Sequence, residues 1–155
     1  IGTGDWERSG TPRLFTEAKS RRFTSAGYAG FVAVGDVVAA AIYALESQED
    51  DLRLLLNAEN MSWKSALEMI GRSVGAEGSL SVIGPLISGV LWPLAKLKTW
   101  VSGGKSALSK DLHLTAQANY RYDGSGFEEV IGRPYHSVAE VILETGQKFS
   151  GSNRN

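Results

Sequence analysis

A chain of 155 residues with 43% hydrophobic and 21% charged residues can build one domain around its own core, and it is too apolar to stay disordered. Its net charge of -1 gives no overall attraction to nucleic acid or acidic lipid. With no cysteine, a disulfide framework, a thiolate zinc site and a cysteine nucleophile are excluded.

The first residue is Ile1, so the sequence reads as a processed product, a polyprotein fragment or an excised domain. Residues 1–11 are rich in Gly, Ser and Thr and suit an arm or a flexible terminus. A single α+β domain is expected over residues 12–149, followed by a polar tail, 150–155. From Arg13 to Val34, Phe15, Phe23, Tyr28, Phe31, Val32 and Val34 point to strands. Lys19, Arg21 and Arg22 form a basic cluster that could meet phosphate, or simply face solvent at a strand end. Asp36 reads as the cap of a buried helix over Val37 to Leu45. Ser47 to Asp50 resembles a capping box for a further helix that would bury Leu52, Leu55 and Leu56. Asn60-Met61-Ser62 is a formal glycosylation sequon. Ser62 to Val74 is the cleanest amphipathic helix, with Trp63, Ala66, Leu67, Ile70 and Val74 on one face.

Gly78 to Val101 follows, opening with 18 uncharged residues. Ile87, Val90, Leu91, Leu94, Leu97 and Val101 form an apolar stripe, with Trp92 and Trp100 beside it and Pro93 as a kink. Such a block needs shelter in a subunit interface, in a core or at a membrane. Gly103-Gly104-Lys105-Ser106 is not a phosphate loop, because Thr99 stands where that pattern requires glycine. Asp111 to Tyr122 alternates as a strand, Asp123 to Gly126 is a turn, Phe127 to Ile131 is a short strand or helical turn, and Val138 to Leu143 reads as another strand.

Two histidines, His113 and His136, with Arg121, could form an acid–base pair acting on a phosphodiester. Tyr120 to Gly124, with Glu128 and Glu129, is similar to the opening strand of pertussis-like ADP-ribosyltransferase toxins. Only 32 residues remain after Asp123, too few for the catalytic half of that family. Arg21-Arg22-Phe23-Thr24-Ser25-Ala26-Gly27-Tyr28, together with the amphipathic and apolar run from Ser62 to Lys98, resembles coat proteins of small icosahedral RNA viruses of the nodavirus kind. That resemblance implies a structural subunit without catalytic residues, found in an assembled particle (virion).

The sequence therefore predicts an α+β fold, with antiparallel strands from both ends of the chain and two or three central helices packed on one side. The expected function is a self-assembling, capsid-type subunit. Its interface or membrane contact would be made by Ile87, Val90, Leu91, Trp92, Leu94 and Trp100. Its partners would be copies of itself or other subunits, then membrane, then RNA at the basic patch. A membrane-active toxin or pore-forming module and a metal-independent histidine ribonuclease are the alternatives. Neither a cofactor nor a metal is expected.

Overall fold

A computed structural model describes residues 1–6, 10–49, 51–76, 78–83 and 118–152. Its elements are α1 (Gly10–Glu17), β1 (Phe23–Ser25), β2 (Tyr28–Phe31), α2 (Val34–Glu46), β3 (Glu59–Ser62), α3 (Trp63–Ser73), β4 (Ser81–Ile83), α4 (Gly126–Ile131) and α5 (Val138–Ser152). The mixed α+β class stands.

The core grows from α3. Ser62 caps it by accepting from the Ser65 N–H at 3.1 Å, which satisfies one of the first-turn donors. Ala66, Leu67 and Ile70 are buried on one face, and Val74 is buried just past the end. Lys64 and Glu68 pair one turn apart at 3.8 Å. Phe15 of α1, Phe31 of β2, Met61 of β3, and Val138, Ile142 and Phe149 of α5 complete the cluster. Trp6 meets Phe15 and Phe149 edge-on, at 6.0 and 5.1 Å between ring centres. The packing of α5 on α3 is close. A Cβ on Gly146 would lie 2.2 Å from Ser73 Oγ and 2.9 Å from the Ser73 carbonyl oxygen.

The described residues hold two small sheets. β1 and β4 run parallel, with Phe23 opposite Ser81. β2 and β3 run antiparallel, with Tyr28 opposite Ser62 and Phe31 opposite Glu59. Ala118 accepts the Tyr28 N–H at 3.0 Å, and Asn119 bridges Tyr28 in parallel.

Several local expectations are corrected. Arg13 to Glu17 lies in α1, not in a strand. The proline of α1 sits in its first turns, where a missing N–H costs little. Val138 to Leu143 belongs to α5, because its buried positions recur at Val138, Ile142, Thr145 and Phe149, the spacing of a helix face. Ser47 closes α2 as its C-cap, with its N–H on the Tyr43 carbonyl, and its hydroxyl accepts from the Glu49 N–H at 3.1 Å. No helix follows it over 52–56. Residues 84–117 lie outside the described residues, and with them His113, the stripe from Ile87 to Leu94, Trp92 and Trp100. Among the described residues, no helix is long and apolar enough to cross a membrane.

Candidate functional site

The third residue of α2, Asp36, has no exposed surface. A buried carboxylate needs partners, and Asp36 has three. Arg133 Nη1 donates to Oδ1 at 2.8 Å, the His136 backbone N–H donates to Oδ2 at 3.0 Å, and His136 Nδ1 lies 2.6 Å from Oδ1. Asp36 is thus not the expected helix cap. Ala33 holds that position, and no side chain caps the helix there.

Local geometry delivers these partners. Gly132 ends α4 in the left-handed region at φ 75°, its N–H on the Glu128 carbonyl, and so turns the chain back toward α2. Tyr135 then stacks on buried Phe127 at 4.1 Å and 15°, and the Arg133 guanidinium lies 5.4 Å from the same ring. The Tyr135 hydroxyl accepts from the Asn57 N–H at 3.1 Å and donates to the Gly124 carbonyl at 3.0 Å. Asn57 Nδ2 donates to the Tyr122 carbonyl at 2.8 Å, and the Asn60 side chain binds both the N–H and the carbonyl of Tyr122. This seam leaves no room for a side chain at Gly124, where a Cβ would sit 2.0 Å from the Asn57 carbonyl oxygen.

The electrostatics follow from these contacts. Burial pushes the Asp36 carboxyl up. The hydrogen bonds from Arg133 and His136 outweigh it and hold the group below its ordinary value of 3.8. Burial raises the Tyr135 phenol above 10.0, and the nearby charges of Asp36 and Glu128 add to this against the opposing Asn57 N–H. The phenol therefore stays a donor at neutral pH.

Chemically, Asp36 orients one imidazole. With Nδ1–H on the carboxylate, the neutral ring keeps Nε2 as an acceptor. His136 lines a groove of about 210 Å³ with Val34, Val141, Glu144, Thr145 and Lys148. This carboxylate–imidazole pair can hold or relay a proton. Among the described residues no group of three or more His, Asp or Glu could hold a metal ion.

Of the residues singled out in the sequence, His136 enters this site. Arg121 lies elsewhere, its guanidinium 5.7 Å from the Tyr28 ring centre. In the basic cluster, Arg21 is tied to Glu17 by a 2.5 Å ion pair, and Glu17 also receives Arg13 at 2.7 Å. The Arg21 pair, then burial acting the other way, then Arg13, leave the Glu17 carboxyl below its ordinary value. Lys19 and Arg22 are exposed on either side of Arg21. Sequence reasoning missed Asp36 and Tyr135 as partners. A charged residue inside an otherwise apolar helix was the available signal for Asp36.

No family model and no curated protein matches this chain. Two solved structures do. The chain is similar to the crystal structure of gox2253 at a TM-score of 0.73 and 15% identity, over 99% of this chain and 47% of that one. It is also similar to the Bordetella bronchiseptica enzyme WbmG in complex with NAD and UDP, at a TM-score of 0.59 and 17% identity, over 96% of this chain and 42% of that one. At these identities the likeness shows the fold alone. The chain spans less than half the length of either protein.

Proposed function

We propose that this chain is the substrate-side lobe of a two-lobed, NAD-dependent enzyme whose substrate carries a nucleoside diphosphate. The observation that supports this reading is the likeness of nearly the whole chain to 42% of an enzyme bound to NAD and UDP. A dinucleotide sits at the switch point of a doubly wound parallel sheet, with its pyrophosphate on a glycine-rich turn. The described residues hold two two-stranded sheets, and the sequence has no Gly-x-Gly-x-x-Gly. These residues do not fit a dinucleotide, so no hydride step is assigned to this chain. Its share of the work is to bind and orient the other substrate. Of the basic cluster Lys19, Arg21 and Arg22, the exposed cations Lys19 and Arg22 are assigned to the diphosphate.

Titration of the purified chain with UDP and with NAD, followed by amide chemical shifts, tests this reading. UDP is expected to shift a localised set of amides at millimolar concentration, more weakly in Arg22→Glu, while NAD leaves the spectrum unchanged. Binding of NAD without UDP, or of neither, overturns it.

The self-assembling subunit is the second reading. The side chains named for its interface lie outside the described residues. What favours it is the apolar stripe within 78–101, with Ile87, Val90, Leu91 and Leu94, which a second copy would cover.

A further inference from the structure

The helix α2 reads Val-Gly-Asp-Val-Val-Ala-Ala-Ala-Ile-Tyr-Ala-Leu-Glu, yet only Asp36 and Ala40 of its 13 residues are buried. Val38, Ile42 and Leu45 lie along one side and are 51%, 50% and 86% exposed. A helix apolar on nearly every face is one that needs cover on more than one side.

The segment after it shows the complementary deficit. From Leu52 to Leu56, exposure alternates: Leu52, Leu54 and Leu56 are half-buried, while Arg53 and Leu55 are exposed. Alternation with period two is the mark of a strand. Yet among the described residues no backbone hydrogen bond reaches residues 52–56, although Asn57 and Ala58 immediately beyond are bonded to Tyr135 and Phe31. The half-buried leucines face α2 across a groove of about 260 Å³ lined by Val37, Ala40, Ala41 and Ala44. The arrangement is a helix lying over a segment with a strand's alternation and no sheet partner among the described residues.

Resting on the two-lobe reading above, we infer that residues 52–56 add as a strand to the open edge of the sheet in a dinucleotide-binding α/β lobe, and that α2 covers the same sheet's outer face. Three observations select this occupant. Unpaired strand backbone is satisfied by another sheet edge. Helices on the faces of a mostly parallel sheet are the α/β layer arrangement, and such a sheet is buried on both sides, which accounts for apolar Leu55 on the side away from α2. The enzyme bound to NAD and UDP extends well beyond the 42% that this chain spans.

Photo-crosslinking in the native host cell tests the inference, with Leu55→p-benzoylphenylalanine and adducts identified by peptide sequencing. Adducts are expected on a polypeptide region carrying a Gly-x-Gly-x-x-Gly turn, in the same chain or a separate one. They should fall at least tenfold when Ile42→Lys is added, with the unfolding midpoint of the purified chain unchanged. Hydrogen exchange gives a second readout: the Arg53 to Leu56 amides should exchange rapidly in the purified chain and at least a hundredfold more slowly in the crosslinkable assembly. Adducts on a second copy of this chain, adducts on residues 84–117, no adducts, or amides already protected in the purified chain would each overturn the inference. UDP binding by the purified chain reports separately on the substrate-side reading, so failure of one is distinguishable from failure of the other.

Discussion

Two helices of this fold reverse what their compositions lead one to expect. α3 carries Lys64, Glu68 and Arg72, and it seats one clean face in the core. α2 has charged groups only at Asp36 and its last residue, and nearly all of its apolar surface is bare. Periodicity states how much surface a helix must hide and on which side. It does not state whether the same chain supplies the cover. For α3 the cover comes from α5 and the aromatic residues of α1 and β2. For α2 the described residues supply the contact with α4, the Asp36 clamp and the half-buried leucines of 52–56, and they leave Val38, Ile42 and Leu45 exposed.

The same substitution on the two helices gives the widest test of this contrast. Ile70→Ala empties a fully buried site and is expected to cost about 2–5 kcal/mol in denaturant unfolding. Gly146→Ala should force α5 away from Ser73 at a cost of about 1–3 kcal/mol, the range for overpacking a close contact. Asp36→Asn removes the charge on which Arg133 and His136 converge and should cost about 1–3 kcal/mol at neutral pH. Its pH dependence has a definite sign. The folded-state pKa is depressed, so the carboxylate's contribution is fully present above 3.8 and is lost as pH falls below that value. Parallel acid titrations should therefore bring wild type and Asp36→Asn together at low pH. Ser62→Ala deletes the α3 cap for about 1 kcal/mol. Ile42→Ala, on the bare side of α2, should stay within about 0.5 kcal/mol in the purified chain. A large loss there would mean that α2 is already covered.

What the sequence disclosed follows the range over which each interaction acts. α3 is legible because its apolar face, Trp63, Ala66, Leu67, Ile70 and Val74, lies within a dozen residues. Val138, Val141, Ile142 and Leu143 are mostly β-branched and Gly146 reads as a terminator, so the sequence points to a strand where α5 lies. In the fold that glycine lies directly against Ser73, with no room for a Cβ. Over 52–56 the Ser47 capping box and the spacing of Leu52, Leu55 and Leu56 point to a helix, whereas exposure alternates at Leu52, Leu54 and Leu56. In the candidate site, His136 stood out as one of two histidines, whereas Asp36 was given a local role. Its partners lie 97 and 100 residues further along, beyond any window of pattern reading.

That separation also bears on the order of events in folding. Joining Asp36 to Arg133 closes almost two-thirds of the polypeptide into a single loop, at an entropic cost that nearby contacts do not incur. The contiguous β3 and α3 can assemble early, with β2 joining across α2, and the clasp at Asp36 should lock last. Changes at Asp36 are then expected to hasten unfolding while leaving the refolding rate almost untouched.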